Sequence, residues 1–515
     1  MNYADLFRAT LPETALEIAA LLVLVVDVGF LRKAALKSRV AVASLLGVAG
    51  CGAAIWALQI QGTAGLRYGD LTLLGAGTYI AVAQTGILVL TALTLLLLID
   101  SVFTRNAGEY VAVVLMAAAG GLIIAAAQDL LVIFVGLELL SLGLYILTAF
   151  AKSSGKSAEA AMKYYLFGGM SAAFLLFGFS YLYGIAGSTN LHQILLAVYS
   201  EKASHAAPLL YVAIVLIAAG LGFKVAAVPF HLWAPDTYEG APAPAAAFIA
   251  SVSKVASFAL LISIGTAALH VFDGPHFTGH MTIQGIPAGS PRPPVYLGFN
   301  IPWMLILTVL SAASMVLGNL AALAQSSVRR LLAYSAIAHA GYILLALAFF
   351  TYSPLSTNAI LYYILTYGLT TIGAFGVVSV VERATGSDRL DSFLGLHKRN
   401  PLLAAVLLVL FLSLAGIPPL VGFWAKFNLF AAVLTVSAGP VPFALVALAI
   451  GMSAVSLYYY LQVLKRAYVM PAIDETPIKA HPVTLIVLLA IAAAVVALGC
   501  FPALLQSWIS SFYVR

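Results

Sequence analysis

Five ionisable side chains stand in apolar stretches of the chain that hold no other charge. Glu138 sits in Val135-Gly136-Leu137-Glu138-Leu139-Leu140-Ser141, and Lys224 ends Ala218-Ala219-Gly220-Leu221-Gly222-Phe223-Lys224. Lys254 lies in Ser251-Val252-Ser253-Lys254-Val255-Ala256-Ser257, Lys426 follows the Gly- and Pro-rich run from Gly416 to Ala425, and His339 lies in Ala336-Ile337-Ala338-His339-Ala340-Gly341. A charge in the middle of an apolar span costs roughly 2.5 to 3.5 kcal/mol on insertion scales, so each needs a reason to be there. One ion pair between Glu138 and a lysine could serve packing alone. Three lysines against one glutamate cannot all be neutralised in this way, so some must lose their charge, meet water or exchange protons. Burial favours the neutral amine and a nearby carboxylate favours the ammonium, so a change in their separation loads or unloads the lysine. The chemistry implied is proton transfer. For His339 two readings stand side by side, a relay through both ring nitrogens or a hydrogen-bonded core histidine.

The elements that would hold these residues follow from composition. Of 515 residues only 9% are Asp, Glu, Lys or Arg and 63% are hydrophobic, with a mean hydropathy of +1.04. Ordinary soluble domains carry about 25% charge. A chain so short of charge cannot cover a water-facing surface, which places it in lipid as an all-α polytopic protein. A span needs about 20 apolar residues. Fourteen segments qualify, near 13–31, 40–60, 77–99, 109–128, 130–151, 160–186, 207–234, 243–271, 300–323, 328–350, 356–382, 401–435, 440–465 and 481–508. Cys51 and Cys500 stand apart in apolar runs, which excludes a Cys-ligated cluster or a disulfide framework. The net charge of +6 comes with no basic run, so no nucleic-acid partner is expected. The first apolar run is followed by Arg32, Lys33, Lys37 and Arg39, an anchor rather than a cleaved leader.

The same basic residues set the orientation. With the N-terminus outside, seventeen of the 25 Lys and Arg fall in inside loops, among them Lys152, Lys156, Arg329, Arg330, Arg383 and Lys398. Only Arg8, Arg67, Lys202, Arg292 and Arg515 fall outside, so both termini are expected on the outer face. The segment from Phe272 to Phe299 reads as an outside loop; its His276 and His280, with His270 and Asp273, match no standard metal spacing.

Two spans carry Gly or Pro just ahead of a lysine, the seventh at Gly220 to Lys224 and the twelfth at Gly416 to Lys426. Paired broken helices point to a transport site. Lys224 and Lys426 are 202 positions apart, and the same step takes Glu138 to position 340, beside His339, but takes Lys254 to Ser456. The expectation is two five-helix repeats, spans four to eight and nine to thirteen, inverted because five is odd. The segments are then an N-terminal three-helix part (1–108), the first repeat (109–271), the outside loop (272–299), the second repeat (300–466) and a C-terminal helix (467–515).

The stretch Phe223-Lys224-Val225-Ala226-Ala227-Val228-Pro229-Phe230-His231-Leu232-Trp233-Ala234-Pro235-Asp236-Thr237-Tyr238-Glu239-Gly240-Ala241-Pro242, with Gly416 to Phe427 and Leu331 to Tyr342, resembles the subunit N family of proton-pumping NADH-quinone oxidoreductase, respiratory complex I. The resemblance covers essentially the whole chain. It implies a proton-translocating membrane-arm subunit in a bacterial inner membrane, next to other antiporter-like and small membrane subunits. It also implies that NADH, FMN, iron–sulfur clusters and quinone are used by other subunits and that this chain binds no cofactor. The family's proton-carrying glutamate and lysines fall on Glu138, Lys224, Lys254 and Lys426, the four found from burial cost. A stand-alone or Mrp-type cation/proton antiporter is the alternative, against which stands the lack of any deep carboxylate besides Glu138. His231, Trp233, Pro235 and Glu239 read as helix termination and packing, with Asp236 and Glu239 capping the next helix.

Overall fold

The computed structural model describes residues 3–61, 65–68, 71–101, 103–198, 206–270, 300–350, 355–436, 439–472 and 474–511. The expected outside loop at 272–299, the side chain of His270, and Lys202, Arg292 and Arg515 lie outside the described residues. Among the described residues twelve helices are long and apolar enough to cross a membrane, and Pro401–Ala415 and Val421–Val436 are shorter apolar helices. The protein is an all-helical, multi-pass membrane protein with 12 to 14 such helices. Its first apolar segment, Leu11–Val25, continues as a π turn, Val26–Phe30. There Asp27 takes hydrogen bonds from Arg39 at 2.7 and 2.6 Å and from the Gly108 amide at 3.2 Å, tying the first span to the second and fourth.

One element lies outside the all-α expectation: Leu66–Tyr68 pairs antiparallel with Leu71–Leu74. Its signal was local, the dipeptide Gly-Asp in the sequence at 69–70 between short apolar runs. Leu66 and Leu74 bury themselves against Ile80 and Ala126.

The seventh segment also differs from expectation. Its helix, Ala207–Val225, runs unbroken through Gly220 and Gly222, and the interruption comes after Lys224, between Val225 and Trp233. The glycines serve packing: a Cβ on Gly220 would lie 2.9 Å from Leu175 Cβ, and one on Gly222 would lie 2.8 Å from the Phe230 ring. The helix ends because Ala226 turns into the left-handed region at φ 59 and Pro229 lacks an N–H to continue it. Pro401–Ala415 ends the same way, with Gly416 at φ 88, so here the interruption does precede the lysine, Lys426.

Matching local geometry recurs along the chain. Gly120 brings helix Ala107–Ala126 against Leu130–Thr148, where a Cβ would lie 2.6 Å from Leu140 N; Gly318 brings Asn300–Leu323 against Val328–Ala348, 2.7 Å from Ala338 N. Gly143 and Gly341 repeat the close approach one step on, 2.7 Å from Ala117 Cβ and 2.8 Å from Met315 N. Asp129 and Ser327 cap the second helix of each pair, and Leu130 N and Val328 N donate to Thr189 O and Asp388 O, both at 2.9 Å. Helices Gly155–Ala186 and Leu355–Thr385 are followed by Gly187 and Gly386 at φ 68 and φ 75. These matches are 198 or 199 positions apart, while Ala226 and Gly416 are 190 apart. A uniform step of 202 therefore fails. By local register Ser141 corresponds to His339, Glu138 to Ala336, Lys224 to Leu414 and Lys426 to Asp236.

Candidate functional site

Lys224 is buried one residue before its helix ends, and its ammonium donates to Ser141 Oγ. Ser141 and Glu138 share helix Leu130–Thr148, three residues apart and so on one face. Glu138 is half-buried and belongs to no ion pair among the described residues. The structure thus puts a serine hydroxyl, rather than the carboxylate, in contact with the lysine.

The other three come together. Lys254 follows a π turn, Ile249–Ser253, and donates at 2.5 Å to the carbonyl of Ala336 on helix Val328–Ala348. His339 lies one turn further along that helix, buried, with Nδ1 at 2.7 Å from Tyr363 Oη. The Tyr367 ring bridges the two: it lies 4.7 Å from the imidazole, and the Lys254 ammonium sits 5.9 Å from its centroid. Lys426 donates to the carbonyls of Leu414 and Ala415 at 3.1 and 2.9 Å and to Ser453 Oγ at 2.8 Å. Those two carbonyls are free because Gly416 and the residues after it do not extend the helix. A cavity of about 10 Å³ lies beside the histidine, lined by His339, Tyr363, Tyr367, Ser413 and Leu414 among others.

Ser141, Tyr363, Tyr367 and Ser453 were not expected from the sequence. Only spacing could have found them: Ser141 is one turn beyond Glu138, and Tyr363 and Tyr367 are four apart on one helix face. Among the described residues no direct hydrogen bond links Lys224 to Lys254, and Glu138 makes no ion pair with any of the lysines. No group of three or more His, Cys, Asp or Glu among the described residues is placed to hold a metal ion.

Asp236 and Glu239 cap no following helix. They lie within helix Trp233–Gly240 and meet cations from neighbouring helices. Asp236 pairs with Arg330 at 2.7 Å and Lys163 at 2.8 Å, and Glu239 with Arg330 at 3.0 Å and Lys156 at 3.4 Å. Burial opposes ionisation of Asp236, but the hydrogen bonds from Lys163 and Arg330 outweigh it and hold the carboxyl below its usual range. Trp233 packs as expected, stacked 4.3 Å from Tyr164 with its indole N–H on Phe223 O.

With this geometry in view, the chain was compared with known proteins. The family described as NADH:quinone oxidoreductase/Mrp antiporter, TM, matches residues 127–276 and 291–453, a class of antiporter-like membrane proteins. NADH-quinone oxidoreductase subunit N 2 of Acidobacterium capsulatum is 48% identical over 99% of this chain and 99% of its own length. NADH-quinone oxidoreductase subunit N 1 of Roseiflexus castenholzii is 42% identical over 81% of this chain and 76% of its own. A chain of respiratory complex I from Thermus thermophilus superposes with a TM-score of 0.74 at 32% identity, covering 96% of this chain and 98% of that one. The chain belongs to the NADH-quinone oxidoreductase subunit N family. A chain of the Mrp complex from Dietzia, at 20% identity and a TM-score of 0.77 over 98% of this chain and 96% of that one, shares the fold.

Proposed function

We propose that this chain is the membrane-arm subunit of a respiratory complex I that translocates protons across a bacterial inner membrane, driven by electron transfer from NADH to quinone in other subunits. The observation that carries the reading is the buried series Lys254, His339 and Lys426, joined through Tyr367 and the carbonyls of Ala336 and Leu414, in a chain of this family. Intramembrane ionisable groups of this kind mark proton routes. Lys224, held by Ser141 on the helix that carries Glu138, is the loading site; Lys254 takes protons from the inside, His339 relays them and Lys426 releases them. Spans four to eight (109–271) and nine to thirteen (300–466) form two inverted five-helix repeats around this, between an N-terminal three-helix part (1–108) and a C-terminal helix (467–515), with Ala207–Val225 and Trp233–Gly240 as one discontinuous helix and Pro401–Ala415 and Val421–Val436 as the other. The doubled glycine contacts, caps and left-handed helix ends support that arrangement. Both termini face outside, which agrees with Lys156, Arg329, Arg330, Arg383 and Arg389 lining one cavity together. The neighbours are the other antiporter-like and small membrane subunits of the arm.

Each proton moved against the membrane potential requires about 2.3 kcal/mol per 100 mV, which a shift in buried charge separation can match. The test is Lys224→Ala in assembled complex reconstituted into liposomes. Quinone reduction with proton uptake abolished or sharply cut is the expected result; full pumping by the assembled variant would sink the reading.

A further inference from the structure

We propose that Tyr363 is a positioning residue that holds His339 in one tautomer, with its single ring proton on Nε2. The inference rests on the relay role given to His339 above. The Tyr363 hydroxyl lies 2.7 Å from His339 Nδ1 and has no other hydrogen-bond partner among the described residues. A phenol has one proton to donate. Were the hydroxyl to accept from Nδ1–H, its own proton would be buried without an acceptor, at a cost of about 1–3 kcal/mol. Donation from Oη to Nδ1 avoids this and leaves a neutral imidazole with its hydrogen on Nε2.

Two further observations concern that second nitrogen. His339 Nε2 is buried and makes no hydrogen bond of good geometry among the described residues, and the Leu414 carbonyl is the backbone acceptor that faces the ring. The His339 ring also borders the cavity of about 10 Å³ that Ser413 and Leu414 line, and this is close to the space one water needs. Leu414 O, on that cavity, already accepts from the Lys426 ammonium at 3.1 Å. With the proton on Nε2, the ring presents a donor toward the Leu414 carbonyl on the Lys426 side and an acceptor to Tyr363. Without the hydroxyl the two tautomers compete, and the ring loses one of its two anchors.

The experiment uses complex assembled with variant chains, reconstituted into liposomes, with NADH-driven proton uptake measured against quinone reduction and the amount of complex checked by NADH oxidation with an artificial acceptor. Tyr363→Phe deletes one oxygen and keeps the ring contacts. It is expected to leave assembly unchanged and to cut proton uptake by about tenfold, the low end of what loss of a histidine-orienting partner does at metal sites. In the double variant with His339→Ala the Tyr363→Phe effect should vanish, because the group it orients is gone; a role in packing alone would add to the loss instead. Wild-type pumping by Tyr363→Phe where His339→Ala is impaired, or additive losses in the double variant, overturns the positioning role by itself. Normal pumping by His339→Ala removes the relay reading first, and the positioning role falls with it.

Discussion

A buried ammonium is tolerated only while its donors find acceptors, and the three lysines solve this differently. Lys224 uses a hydroxyl, Lys254 a helix carbonyl, and Lys426 two helix-end carbonyls with a hydroxyl. The Lys224 arrangement is the easiest to disturb, since Ser141 is its one hydrogen-bond acceptor among the described residues. Ser141→Ala should cost about 1–3 kcal/mol through the unsatisfied charge. The expected outcome is a lower thermal midpoint of the purified complex together with slower proton uptake; unchanged values of both would count against the contact. The lysines were legible in the sequence because a charge in an apolar run is conspicuous by type. Ser141 was not, because serine is common in spans and only the approach of two helices gives this one a partner.

At the level of elements, the two interrupted segments depend on a residue in the left-handed region, but they fill it differently: Ala226 in the first and Gly416 in the second. A residue with a Cβ pays roughly 1–2 kcal/mol there and glycine does not. Ala226→Gly should therefore raise the thermal midpoint of the complex. Gly416→Ala should lower it, and more sharply, because the new Cβ would lie 3.0 Å from the Lys426 side chain. Equal signs for the two substitutions in a differential scan would refute this account of the helix ends. The sequence marked both segments by their Gly and Pro content but misplaced the first interruption. Gly220 and Gly222 look like breakers when read along the chain, yet in three dimensions they are the places where Leu175 and Phe230 come too close for a side chain. Composition does not tell a packing glycine from a turn glycine; φ and the neighbouring helix do.

At the scale of the whole molecule, Lys156, Arg329, Arg330, Arg383 and Arg389 line one cavity, and the orientation proposed above puts that cavity on the inner face. In a background with Cys51 and Cys500 replaced, a cysteine introduced by Lys398→Cys should react with a membrane-impermeant thiol reagent only from the inner face. One introduced by Arg67→Cys should react only from the outer face; both positions are exposed. The reverse pattern would invert the proposed orientation. The same region is clamped by Asp236, Glu239, Arg330, Lys163 and Lys156. Because its carboxyl is held below the usual range, Asp236 contributes stability above its ordinary value near pH 4, and that contribution is lost only as pH falls through the lowered value. The wild-type complex should thus keep this contribution at mildly acid pH and lose it below about pH 4, whereas Asp236→Asn should be less stable at neutral pH and lack that acid limb in a thermal-midpoint titration. The family motif around Trp233 was readable, but the ion pairs it makes were not, since their cations arrive from positions 156, 163 and 330.

The sequence by itself determined the solvent and the inventory of the site. Nine per cent charge forces lipid, spans follow from runs of about 20 apolar residues, and the cost of the few buried charges singles them out as candidates. Tertiary structure decided which of them touch and through what. The sequence step from Lys224 to Lys426 paired the lysines at 202, whereas the matching glycine contacts stand 198 apart and the left-handed helix ends 199 or 190 apart, so no single step fits them all. A contact depends on register across helices, and no count along one chain contains it. That is why Glu138 came without a direct partner, His339 took the place corresponding to Ser141, and Tyr363, invisible as one tyrosine among 24, became the residue that orients the relay proposed here.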